Sequence, residues 1–142
     1  IYNHNVHLTY WHVDASENAE TPGGWGLAFQ YVQTVAELYM PFVRAGYADD
    51  GGSLMQKSIS LGMGYAAAGG RDQLGLAFNW GEVNEGSFGP GLRDQTTVEL
   101  FYRWQLGEQL AITPDVQYVA NPSDNPEHDH LWIYGIRARL AL

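Results

Sequence analysis

Apolar and polar residues alternate with a period of two in one segment after another, and this pattern constrains the fold most. Residues 58–65 show it best, because their odd positions are apolar and their even positions are serine or glycine. Successive side chains of a β-strand point to opposite faces, so such a segment builds a strand with one apolar face. The pattern recurs over 3–13, 25–33, 38–48, 73–81, 97–106, 110–118 and 132–142. The sequence predicts about eight strands of about nine to eleven residues, long enough to cross a bilayer when tilted.

The connections between these segments alternate in length. The longer polar loops are predicted at 14–24, 49–52, 82–94 and 121–130, and the short joins at 34–37, 67–72 and 107–108. Long loops on the outer side and tight turns on the periplasmic side are typical of outer-membrane barrels. The chain has no helical periodicity and no linker, so we treat 1–142 as one barrel segment without separate domains.

Composition helps to decide which face meets water. Only 16% of the residues are charged, and Lys57 is the only lysine. A soluble sandwich, with the polar face in water, is the alternative, but its exposed strands would carry more lysine and glutamate and less glycine. The net charge of −9 also argues against nucleic-acid binding. We therefore expect the apolar face to contact lipid and the polar face to line a lumen.

Aromatic residues concentrate near the ends of the apolar faces, as in the girdles at membrane interfaces. The residues near the longer loops are Trp25, Trp80, Tyr118 and Trp132, and those near the short joins are Tyr31, Tyr39, Tyr65 and Trp104. The C-terminus has an apolar residue at every second position back from Leu142. That pattern resembles the C-terminal signal of bacterial outer-membrane proteins, although their last residue is normally aromatic.

Four stretches of the chain together point to one family. The most specific is VELFYRWQLGEQLAITPDVQYVANP at 98–122, followed by LYMPFVRAGYADDGG at 38–52, with RDQLGLAF at 71–78 and LWIYGIRARL at 131–140 in support. These stretches resemble the OprB family of carbohydrate-selective porins. The resemblance implies an antiparallel transmembrane β-barrel of sixteen strands, of which this chain supplies the C-terminal half. A shortened relative that closes with eight strands is the alternative.

The resemblance implies an outer-membrane porin of Gram-negative bacteria that passes sugars and other small solutes by passive diffusion. Its partners would be outer-membrane lipid and lipopolysaccharide, the permeant sugars, the remaining barrel strands and, in a homotrimer, further copies of itself. From strand parity, the polar pathway is predicted to contain Arg44, Glu99, Arg103, Asp115, Gln117, Arg137 and Arg139. Arginines and carboxylates donate and accept hydrogen bonds to sugar hydroxyls. The alternative is a salt-bridge network that braces a narrow barrel.

Other functions have weaker sequence support. Phe101 and Trp11 have inward parity and offer either packing or a surface on which a sugar stacks. The segment Glu127-His128-Asp129-His130 lacks metal-ligand spacing, and no metal or other cofactor is predicted. A lipid-modifying barrel enzyme would need a serine beside a histidine of the same parity, which we do not expect next to Ser58 or Ser60. A small eight-stranded structural or adhesive barrel is a further alternative.

Overall fold

A computed structural model describes residues 4–18 and 21–141 of the chain. Leu142, the last residue of the C-terminal pattern, lies outside the described residues. The strands are β1 His4–Val13, β2 Gly24–Gln33, β3 Tyr39–Asp50, β4 Met55–Ala67, β5 Asp72–Val83, β6 Gln95–Gln105, β7 Leu110–Ala120 and β8 His130–Leu140. A 3₁₀ turn at Ala68–Gly70 and the one-turn helix α1, Glu85–Phe88, are the helical elements among the described residues. No helix in this part of the chain is both long and apolar enough to cross a membrane.

The eight strands form one antiparallel sheet in the order β1 to β8. Each strand pairs with its neighbour in sequence, and among residues 4–18 and 21–141 the only break in register is between Met55 and Lys57 on β4. The predicted all-β, antiparallel fold is confirmed. The sheet is not closed, because β1 and β8 form its two edges and do not pair with each other.

The two faces of the sheet differ, because register partners in an antiparallel pair lie on the same face. On one face, large apolar side chains are exposed on every strand except β7, where they are half-buried. Leu8 is 75% exposed, Leu76 54% and Ile136 78%. Among the described residues, the buried hydrophobic positions are Ala48, Val83, Ala111 and Val119. No second layer of the described residues packs on the apolar face, which therefore differs from the interior of a sandwich.

The loop predicted at 49–52 begins two residues later, at Gly51. Asp49 and Asp50 were placed in a loop at 49–52, but both belong to β3, which ends at Asp50. The Trp25 indole Nε1 donates to Asp49 Oδ2 at 3.1 Å and ties Asp49 to β2. Asp50, Gly51 and Gly52 have φ of 55°, 67° and 73°, so the chain reverses in a tight left-handed turn rather than in a long loop.

Hydrogen bonds and a salt bridge connect the loops at this end of the sheet, including the turn after β3. Asn84, 1% exposed, donates from Nδ2 to the carbonyl of Asp50 at 3.3 Å, and Gly52 N donates to Ser87 Oγ at 3.2 Å. Arg93 pairs with Asp129 at 2.9 Å and thereby links the β5–β6 and β7–β8 loops. The α1 turn within 84–94 has no counterpart in the sequence prediction, because four residues are too few for a helical period.

Aromatic residues pair near both ends of the strands. At the end with the longer loops, the ring centres of Trp25 and Tyr47 are 5.5 Å apart, and those of Tyr118 and Trp132 are 5.0 Å apart. At the opposite end, the Tyr39 and Tyr65 rings are 5.5 Å apart. These two rows on the apolar face fit the predicted girdles.

Candidate channel-lining site

The strand register places the predicted pathway residues on one face. Arg44 pairs with Ser60, which pairs with Asn79. Glu99 lies opposite Gln117, and Asp115 lies opposite Phe101 and Gly135. Following these pairs across the sheet puts all seven residues on the face opposite the exposed apolar side chains. They are Arg44, Glu99, Arg103, Asp115, Gln117, Arg137 and Arg139.

Four of the seven surround one recess in this polar face, which we call the β5–β8 recess. Its volume is about 240 Å³, and its lining residues are Gln73, Glu99, Phe101, Arg103, Thr113, Asp115 and Arg137. Gln73 and Thr113 were not predicted, although the register signals them: Gln73 lies opposite Arg103, and Thr113 lies opposite Arg137. The recess therefore carries two carboxylates and two guanidinium groups beside one aromatic ring.

The charged groups of the β5–β8 recess do not form salt bridges with one another. In the described part of the chain, the salt bridges are His12–Asp14, Lys57–Glu82 and Arg93–Asp129, all outside the recess. The hydrogen bond from Gln117 Nε2 to Asp115 Oδ1, at 3.3 Å, links two predicted pathway residues. Arg103 Nε is buried and has no hydrogen-bond partner within the described residues. A bracing salt-bridge network is therefore not formed in the β5–β8 recess.

Arg44 and Arg139 lie apart from this group. Arg44 lines a second recess of about 470 Å³, beside Gln30, Ser58 and Ser60, and its guanidinium carbon is 5.1 Å from the centre of the Phe42 ring. That distance is within the range of a cation–π contact. Arg139 lies on the edge strand β8, opposite Ala111. The polar face thus has two separate charged regions rather than one ring of seven residues.

Three aromatic residues of the polar face lie directly opposite glycines. The register pairs Trp11 with Gly26, Phe42 with Gly62 and Phe101 with Gly75. In each pair a Cβ on the glycine would overlap the ring across the strand. From strand parity alone, Gly62 and Gly75 are expected to leave open space on the polar face, but aromatic rings cover both. An alternating strand pattern does not indicate which residue lies opposite a glycine.

A metal site would need a cluster of ligands, and a lipid-modifying enzyme would need a serine–histidine pair. Among residues 4–18 and 21–141, no three histidine, aspartate or glutamate side chains come together as a metal site. His7 shares the second recess with Ser58 and Ser60, so the prediction that no histidine shares their face is wrong. Ser60 Oγ instead accepts from Asn79 Nδ2 at 2.8 Å, and no hydrogen bond joins His7 to either serine in the described chain.

Comparison with known proteins bears on the whole sheet. A family model described as carbohydrate-selective porin, OprB family, matches residues 3–141. No curated protein and no solved structure matches the chain.

Proposed function

Because the chain belongs to the OprB family of carbohydrate-selective porins, we propose that it forms part of a channel through which sugars and other small solutes cross the bacterial outer membrane by passive diffusion. Proteins of this family are transport channels rather than enzymes. The observation that carries the proposal is the division of one sheet into an open apolar face and a polar face with unpaired charges. The apolar face contacts lipid, and the polar face lines the water-filled pathway.

The pathway residues act by hydrogen bonding, without chemical change to the solute. Arg103 and Arg137 present planar guanidinium donors, and Glu99 and Asp115 present carboxylate acceptors, around the β5–β8 recess. A sugar hydroxyl both donates and accepts, so a surface with both kinds of group replaces the hydration shell of a neutral sugar better than a surface of one charge. Arg44, Gln117 and Arg139 extend this polar surface along the same face.

The remaining partners follow from the membrane setting. The apolar face is in contact with outer-membrane lipid, and lipopolysaccharide surrounds the outer loops. The strands of residues 1–142 act as one barrel segment, and further strands of a sixteen-stranded barrel complete the lumen beyond β1 and β8. The assembled channel forms a homotrimer, as is common for porins.

Single-channel recording of the assembled channel, with all its barrel strands, in planar bilayers tests the pathway. We expect Glu99→Gln to shift ion selectivity toward anions and Arg103→Gln to shift it toward cations, because each change removes one unpaired charge from the β5–β8 recess. Both variants should also weaken the block of ion current by added sugar. Arg93→Gln is the matched control, since Arg93 makes its salt bridge with Asp129 in the loops and does not line the recess. Conductance, selectivity and sugar block that are unchanged in both recess variants would contradict the pathway role.

A further inference from the structure

We propose that the β5–β8 recess is a binding subsite for a single pyranose ring, and that Phe101 is the surface on which that ring stacks. The proposal rests on the proposed channel function and adds a defined sugar-binding position along the pathway. It depends on three observations: the way Phe101 is held, the hydrogen-bonding groups around it, and the size of the recess.

The Phe101 ring is held in place from one side. It lies over Gly75, its direct register partner on β5, and a Cβ at Gly75 would overlap three atoms of the ring. Glycine therefore lets the ring lie close to the neighbouring strand. The ring is half-buried and also lines the recess. A flat aromatic surface fixed in this way suits the C–H face of a pyranose, and its ordering costs little entropy when a sugar binds.

The groups around the ring match the edge of a sugar. Asp115 lies opposite Phe101 on β7, and Arg103 lies two positions further along β6 on the same face. None of the recess charges is neutralised by a salt bridge within the described residues. The rim thus offers donors and acceptors to the equatorial hydroxyls while Phe101 offers the apolar contact. Sugar-like ligands need this combination of one apolar surface and a few placed polar groups.

The size of the recess favours one sugar ring. Its volume is about 240 Å³. Pockets for drug-sized ligands begin near ~300 Å³, so an oligosaccharide would extend beyond it. The second recess, beside Arg44, lacks this arrangement because the Phe42 ring already lies between Gly62 and the Arg44 guanidinium.

Sugar block of ion current through the assembled channel, with all its barrel strands, tests the subsite. We expect Phe101→Leu to weaken glucose binding about fivefold, within the range of aromatic stacking contributions, while the charge selectivity of the channel is retained. Phe101→Tyr keeps the ring and should keep the binding constant. The control is Phe78→Leu, which removes a ring from the apolar face of the neighbouring strand β5. Equal glucose binding in Phe101→Leu and Phe78→Leu would overturn the subsite.

A second variant displaces the ring without changing it. Gly75→Ala adds a Cβ where the Phe101 ring lies, and we expect it to lower glucose affinity as Phe101→Leu does. Saturation-transfer NMR of the unmodified chain in micelles, with irradiation of aromatic protons, provides a readout that does not depend on conduction. Transfer to the ring protons of glucose, lost in Phe101→Leu, supports the subsite, and no transfer in the unmodified chain overturns it. A channel that conducts but shows no transfer contradicts only the subsite, whereas sugar contact without conduction contradicts only the proposed function.

Discussion

Three glycines on the polar face are sites of close packing rather than of flexibility. Gly26 is the clearest case, because a Cβ there would lie 2.5–2.6 Å from three atoms of the Trp11 indole. Gly26 and Trp11 are direct register partners on β2 and β1. Pairing an aromatic residue with a glycine fills the space that the glycine leaves in a strand and covers its backbone. The glycine content of this chain therefore contributes to the shape of the polar face.

At this scale we predict that Gly26→Ala lowers the free energy of unfolding by about 2 kcal/mol, the usual cost of overpacking. In a Trp11→Ala background the same change should cost about 1 kcal/mol less, because the clash is removed. Gly46→Ala is the control, since its Cβ would meet the Ser58 hydroxyl at 2.9 Å, and that side chain can rotate away. Denaturant unfolding in lipid vesicles measures all four variants. A Gly26→Ala cost that is independent of Trp11 would contradict this packing.

Strand β5 shows how the two faces differ along one element. Leu76 is 54% exposed on the apolar face, and the next residue, Ala77, lies opposite Glu99 on the polar face. We predict that Leu76→Arg destabilises the folded protein in vesicles by about 2–4 kcal/mol, the cost of a cation at the bilayer midplane. Ala77→Arg should leave stability within about 1 kcal/mol, because the new guanidinium can pair with Glu99. Equal costs for these two neighbours would mean that the faces are assigned the wrong way round.

The strands could be predicted from sequence because a period of two is a local signal. The predicted segment 73–81 became β5, Asp72–Val83, and the predicted segment 110–118 became β7, Leu110–Ala120. The end of β3 was predicted too early because aspartates are common in loops, and only pairing with β2 reveals Asp49 and Asp50 as strand residues. The β5–β8 recess was predictable in part. Parity places its charges on one face, but the partners Gln73 and Gly75 follow only from the register between strands.

In the whole molecule, the unpaired edges of the sheet decide which kind of barrel forms. β1 and β8 each present one row of backbone groups without a strand partner in this sheet. Hydrocarbon does not hydrogen-bond to the backbone, so both edges must pair when the strands span the membrane. Closure of β1 on β8 would give an eight-stranded barrel, whose interior is filled by side chains. Pairing with further strands would leave a wider, water-filled lumen, which the proposed transport of sugars requires.

Disulfide trapping in the full chain distinguishes these two assemblies, and the sequence has no cysteine to interfere. Cysteines at Leu8 and Phe29, which are register partners, should form a bridge on oxidation because paired strands bring their Cβ atoms close enough. We predict that a cysteine at Leu8 forms no bridge with cysteines tested in turn along the apolar face of β8, because in a sixteen-stranded barrel the β1 and β8 edges each pair with a further strand rather than with each other. Peptide mass spectrometry after proteolysis identifies the bridges. A bridge from Leu8 to β8 that forms as readily as the one to Phe29 would indicate an eight-stranded closure. The polar face would then enclose a packed interior, and Arg103 and Glu99 would have to pair within it rather than face a passing sugar.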